Sequence, residues 1–176
     1  IEASEEHPWV SRAGMKLDRA LDVFDVEAAD RICLDVGAST GGFTEVLITQ
    51  GAGKVYAVDV GREQLHHRLQ NHPKVVSMES TDARDLTADM FDPRPSLVVC
   101  DASFISAMKV LGASLSLCET GAELVSLVKP QFEVGRDNIG RGGLVKDDAM
   151  AKWALVIVCA WVESQGWKIL QTTDSP

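Results

Sequence analysis

Leu34-Asp35-Val36-Gly37-Ala38-Ser39-Thr40-Gly41-Gly42-Phe43-Thr44 is the stretch on which the reading of this chain turns. The apolar run Ile32 to Val36 reads as a buried strand that stops at an acid and a glycine, and from Gly42 to Gln50 the apolar spacing becomes helical. Moving outward, short apolar runs at Val55 to Val58, Val75 to Met78, Leu97 to Cys100, Leu124 to Val128 and Trp167 to Leu170 read as further strands. Between and around them lie helical patterns at Ser11 to Phe24, with Ser11 as N-cap, and at Arg62 to Gln70, Ala107 to Cys118 and Asp147 to Gln165. Strands that alternate with helices form right-handed β-α-β units, so the expected fold class is α/β, a doubly wound, mostly parallel sheet covered on both faces. Pro130 to Lys146, with Gly135, Gly140, Gly142 and Gly143, is left as one long irregular stretch.

Ligands of such sheets bind beyond the carboxyl ends of the strands. Here the successive strands end at or near Asp35, Asp59, Asp82, Asp101 and Lys129, five polar groups delivered to one rim next to apolar neighbours. The turn Gly37 to Gly42, with Phe43 behind it, lets backbone approach a ligand and opens a helix whose N-terminus carries partial positive charge. A dinucleotide site competes for this pattern, since Asp59 lies 22 residues beyond Gly37. Ser39 stands where that pattern needs its second glycine, and Asp35 suits a ligand ammonium better than a phosphate. S-adenosylmethionine offers such an ammonium, a ribose for Asp59-Val60, and an adenine amine for Asp82-Ala83.

The chain has 176 residues, and 17 basic against 26 acidic side chains leave a net charge of −9. With 45% apolar residues it can bury one domain core, which excludes wholesale disorder. The longest apolar run, Ala154 to Val162, falls far short of the roughly 20 residues that span a bilayer, and being apolar all round it reads as core. An acidic chain does not hold nucleic acid by bulk charge, so such binding needs a local basic site or another domain. Cys33, Cys100, Cys118 and Cys159 are scattered singly and read as buried thiols, which points to the cytoplasm. Adjacent His66 and His67 are expected to face different directions, and no metal is expected. The chain starts at Ile1 and stops at Pro176, and is expected to be a piece of something longer, with 1–9 a frayed linker remnant and 10–176 the domain.

SRAGMKL (Ser11 to Leu17), LDVGASTGGFT (Leu34 to Thr44), VYAVDVG (Val55 to Gly61), DASFIS (Asp101 to Ser106) and LVKPQFEVGR (Leu127 to Arg136) together resemble the TlyA family, often labelled haemolysin, within the FtsJ-like RNA 2'-O-methyltransferases. The resemblance runs from about Val10 to Pro176 and implies a Rossmann-like class I methyltransferase acting on ribose hydroxyls of ribosomal RNA, with S-adenosylmethionine as cofactor. It also implies an S4-type RNA-binding domain upstream, absent here, and a seven-stranded sheet in the order 3-2-1-4-5-7-6. Residues 1–176 supply six of those strands, so Trp167 to Leu170 is expected to be displaced, poorly ordered or paired with another chain.

Methyl transfer from a sulfonium is an in-line displacement in which positioning is most of the task, and the weakly acidic ribose hydroxyl needs a cation or amine beside it. Lys129 supplies that amine and Asp101 orients it. The resemblance implies a Lys-Asp-Lys-Glu tetrad, of which Lys16, Asp101 and Lys129 map here and the Glu does not, so this fragment is expected to bind donor but methylate poorly. Arg12 and Lys16, four residues apart on the first helix, share a face that can meet RNA. Phe132 is a candidate to stack on a flipped base, with Gln131 and Glu133 beside it in the acceptor pocket, and Arg136, Arg141 and Lys146 make the glycine-rich loop a mobile RNA-facing lid. Three rival functions remain: an amino-directed methyltransferase, disfavoured by the lack of prolines after Asp101, a membrane-active haemolysin, and a catalytically inactive donor-binding scaffold.

Overall fold

In the computed structural model, residues 8–176 are described, and the expected fraying of 1–7 lies outside them. Five strands, β1 (Ile32–Val36), β2 (Lys54–Val58), β3 (Val75–Met78), β4 (Leu97–Cys100) and β5 (Glu123–Ser126), pair in the order β3-β2-β1-β4-β5. All four pairings are parallel. Side-chain alternation splits the sheet into two apolar faces. Leu34, Val36, Tyr56, Val58, Val98 and Cys100 lie on one, under α4 (Ala107–Val110), α5 (Gly112–Leu117) and α7 (Asp148–Ser164). Cys33, Val55, Leu97, Val99 and Val125 lie on the other, under α1 (Ala13–Phe24) and α2 (Gly42–Thr49). Most of these side chains are fully buried, each worth roughly 1.5–3 kcal/mol of transfer free energy. Two further short helices, α3 (His67–Gln70) and α6 (Pro130–Glu133), sit at the rim.

The expected α/β class and its two-sided cover are what the chain forms, and β1, β3 and β4 match the sequence reading residue for residue. Several local expectations are corrected. Ser11 is not the cap of α1: Arg12 holds that position with no side-chain cap, and the Ser11 hydroxyl instead sits against Gly42, where a built Cβ would meet Oγ at 2.2 Å. The helix expected at 62–70 shrinks to α3, because Glu63 adopts φ +54° and the Glu79 carboxylate accepts from the N–H groups of Gln64 and Leu65. The helix expected at 107–118 is broken at Leu111-Gly112 into α4 and α5.

Trp167 to Leu170 is not a strand. Beyond α7 the chain forms no ladder with the sheet, yet Trp167 and Ile169 still pack on the core, so the apolar alternation is spent on packing rather than pairing. Nor is α7 apolar core all round. It buries Ala154, Val158 and Val162 and leaves Trp153 and Val156 largely exposed, since it packs one face only, on α4 and α6. The stretch 130–146 is more regular than expected: α6, two single 3-10 turns and an Ile139–Val145 bridge divide it.

Candidate active site

Parallel strands deliver their carboxyl ends to one rim, and the site is built there. The turn after β1 is set by packing as much as by any ligand. Gly37 adopts φ +83°, and a Cβ there would come within 2.8 Å of the Ala102 backbone, so only glycine lets the β1 and β4 loops touch. A cavity of about 310 Å³ opens over this junction. Its wall joins three segments: Ser11, Arg12 and Ala13 from the entry to α1; Gly37 to Thr40, Gly42 and Phe43 from the turn; and Asp101 and Ser103 from the loop after β4. A larger cavity of about 840 Å³ runs along α1 toward Gln50 and Pro176 and contains none of the strand-end groups.

Lys129, the last residue before α6, reaches from the end of β5 to the loop after β4. Its Nζ lies 2.7 Å from Asp101 Oδ1 and donates to Asp101 O (3.0 Å) and Ser103 Oγ (2.7 Å). With the Lys129 and Asp101 side chains 19% and 15% exposed, the pair is largely desolvated, which strengthens it relative to a surface ion pair. The pairing of Asp101 with Lys129 expected from the sequence is therefore formed. Lys16 makes no hydrogen bond or ion pair with them: it is partly buried on α1 and, like Lys129, is absent from the cavity wall, whereas Arg12, one turn earlier, forms part of it.

The acids divide by environment. Asp35 shares the sheet face of Cys33 and is fully buried; Oδ2 accepts from Thr44 Oγ1 at 2.7 Å and Oδ1 has no partner. Burial pushes its carboxyl up to about 7, against the lowering effect of the Thr44 bond, and Asp101 and Asp59 add to the rise. It stands behind the turn at the end of β1 and is absent from the cavity wall. Asp59 braces the turn directly, accepting from the N–H groups of Ser39 (2.8 Å) and Gly61 (2.7 Å), while neighbouring Val60 is exposed. Asp82 is claimed by Arg84, which grips both carboxylate oxygens and holds the group down at about 2; Ala83 beside it is core.

Two features escaped the sequence reading. Phe104 is 92% exposed, carries a left-handed backbone (φ +65°) and stands 5.4 Å, centroid to centroid, from Phe132. A bulky residue held at positive φ marks a strained, over-determined loop. Glu133, expected beside Phe132 in the acceptor pocket, turns its carboxylate to the loop after β4, accepting from Ser106 Oγ (2.6 Å) and Ala107 N (2.8 Å). The aromatic in DASFIS was the available signal for the first; for the second the sequence pointed to Glu133 but not to the partners of its carboxylate. Arg136, Arg141 and Lys146 are exposed, on a loop closed by its own hydrogen bonds, Gly140 N to Leu144 O and Lys146 N to Asn138 O. His66 and His67 do not diverge as expected: His66 caps α3 from outside the helix, and the rings stack at 4.3 Å. No group of three or more metal-ligating side chains occurs among the described residues.

A doubly wound parallel sheet in the order 3-2-1-4-5, with a glycine turn and a cavity at its carboxyl rim, defines the class I methyltransferase fold. Magnesium protoporphyrin IX methyltransferase from Synechocystis, solved with bound S-adenosylhomocysteine, shares that fold at 14% identity and a TM-score of 0.61, over 94% of this chain and 76% of that one. The FtsJ-like methyltransferase family model matches residues 9–176, and the chain belongs to that family. It is 45% identical, over its whole length, to the 16S/23S rRNA (cytidine-2'-O)-methyltransferase TlyA of Mycobacterium tuberculosis, of which it spans 66%, less than two thirds. It is 41% identical over its whole length to Hemolysin A of Brachyspira hyodysenteriae, of which it covers 74%. A solved structure from Streptococcus thermophilus, reported under a hemolysin label, superposes with a TM-score of 0.89 at 42% identity, over 93% of this chain and 60% of that one. Among the described residues no helix is long and apolar enough to cross a membrane.

Proposed function

We propose that the protein of which this chain is the catalytic domain transfers a methyl group from S-adenosylmethionine to a ribose 2'-hydroxyl of ribosomal RNA. The observation that carries this reading is the Lys129–Asp101 pair, of which Asp101 lines the same cavity as the glycine turn. Relatives of both named activities, on 16S/23S and on 23S rRNA, support the substrate class.

The residues present fit the donor. The orphaned buried Oδ1 of Asp35 is an acceptor in want of a donor, as an ammonium or its bridging water supplies, and Gly37 to Thr40 line a cavity into which the helix α2 N-terminus opens. Asp59, already bonded at the turn, keeps lone pairs for a ribose. When bound, the donor supplies an electrophilic methyl on a sulfonium. Asp101 and Ser103 hold the Lys129 amine, and its positive charge would stabilise the acceptor oxygen as that oxygen takes the methyl group, the S–C bond breaks and the hydroxyl proton passes to water. Phe132, with Phe104 against it, offers an aromatic face to an unstacked base, and Arg12, Arg136 and Arg141 offer guanidinium groups to phosphates. Lys16, one turn along α1 from Arg12, is proposed as a second cation of that helix toward the RNA.

The test is incorporation of labelled methyl from S-adenosylmethionine into ribosomal subunits by the full-length protein, followed by mapping of the modified ribose. The proposal predicts alkali-resistant 2'-O-methylated dinucleotides; label on a base, or none, rejects it.

A further inference from the structure

Resting on the reading of Lys129 above, we propose that Glu133 is a positioning residue for this reaction: it locks the segment that carries Lys129 to the loop that carries Asp101, and thereby sets where the amine stands.

Two segments must be held in register for the Lys129–Asp101 pair to exist, 101–107 after β4 and 129–133 after β5. Lys129 ties them at one end, to Asp101 and Ser103. Glu133 ties them at the other, one helical turn later, with one carboxylate oxygen on the Ser106 hydroxyl and the other on the Ala107 N–H. Among the described residues no other hydrogen bond joins these two segments. Ser106 Oγ in turn accepts from Met108 N, so the carboxylate ends a chain of bonds that opens α4. A two-point contact of this kind fixes rotation as well as distance, which a single bond or an apolar contact does not.

The geometry explains why the lock is needed. Between the two ties lies Phe104 at φ +65°, a backbone state a bulky residue leaves unless held from both sides. Lys129 immediately precedes Pro130, the first residue of α6, so any turn of that four-residue helix swings the amine. Displacements near 1 Å at a reacting centre cost on the order of 100-fold in rate. Both Glu133 oxygens are committed to the loop after β4, which assigns the residue to positioning rather than to contact with substrate.

The experiment uses the full-length protein on ribosomal subunits, with donor affinity measured separately by calorimetry. E133A is expected to lower kcat by about 10-fold or more, with the S-adenosylmethionine Kd and the RNA KM each within about twofold of wild type. E133Q, which keeps an acceptor for Ala107 N–H and a second polar atom for Ser106, is expected to recover kcat to within about threefold. In a K129A background, E133A should cost nothing further. Full kcat in E133A overturns the inference, as does a loss shared equally by kcat and donor affinity that E133Q does not recover. Should E133A fail to fold, S106A removes one of the two donors and is read the same way: kcat down with donor affinity kept supports positioning, and unchanged kcat overturns it. Wild-type turnover by K129A sinks the reading of Lys129 and this inference with it, whereas an inactive K129A beside a fully active E133A sinks this inference alone.

Discussion

Two glycine-rich segments, one directly after β1 and one directly after α6, use glycine for opposite reasons. At 37–42 the chain is pressed from three sides: a Cβ on Gly37 would strike the Ala102 backbone, on Gly41 the side chains of Leu69 and Leu65, and on Gly42 Ser11 Oγ and the Gly14 amide. At 135–143, Cβ atoms on Gly135, Gly142 and Gly143 would meet nothing within 4 Å, although all three residues have positive φ. The first segment is a packed junction between strands; the second is a loop that spends glycine on backbone shape alone. Composition does not distinguish them. What differs is the density of neighbours, and with it the expected consequence of change: in the proposed reading donor binding depends on the rigid turn and RNA contact on the exposed one.

Gly37→Ala should break the comparison most severely. It combines a disfavoured φ with overpacking against backbone, and is expected to cost about 2–4 kcal/mol, with donor binding lost because Ala102 must move beside Asp101. Urea unfolding and calorimetry check both. Asp35 sharpens the contrast from beneath the packed turn. Its carboxyl is raised to about 7 in the folded protein against 3.8 for the free group, so the folded state holds a proton that the unfolded chain has released. The stability this contributes is full below about pH 4 and lost as pH rises toward 7. Asp35→Asn should therefore flatten the pH dependence, leaving the protein more stable than wild type at pH 8 and little changed at pH 4, as read by Tm across that range.

Gly142→Ala, by contrast, has only its φ of +84° to offend, and should cost about 1 kcal/mol with donor affinity intact. A loss as large as that of Gly37→Ala would erase the distinction. Smallest of all, Arg141→Ala should leave Tm within about 1 °C. It should weaken RNA binding a fewfold and lower the salt dependence of binding by about one phosphate contact. Unchanged affinity at every salt concentration would remove the exposed loop from the RNA surface.

The same contrast sorts what the sequence revealed. Strand positions and their shared rim were legible because a fully buried parallel strand is written as a short apolar run, and β1, β3 and β4 fall where those runs lie. The Lys129–Asp101 pair followed from asking what ends each strand. Side-chain bonds were not legible: Thr44 to Asp35 and Arg84 to Asp82 depend on rotamers, and Glu133 to α4 depends also on a neighbour brought in from 26 residues away. Nor did pattern alone tell that Trp167 and Ile169 would pack without pairing, or that α7 would bury a single face, because alternation and hydrophobicity report a preference for burial and not the partner that provides it.

The central claim is that an amine fixed on Asp101 readies a ribose hydroxyl beside a separately held donor. Lys129→Ala in the full-length protein tests it in one comparison, single-turnover methyl transfer to ribosomal subunits against the Kd for S-adenosylmethionine. The account predicts a rate at least about 100-fold lower with donor affinity within about twofold of wild type. A wild-type rate from K129A would contradict it.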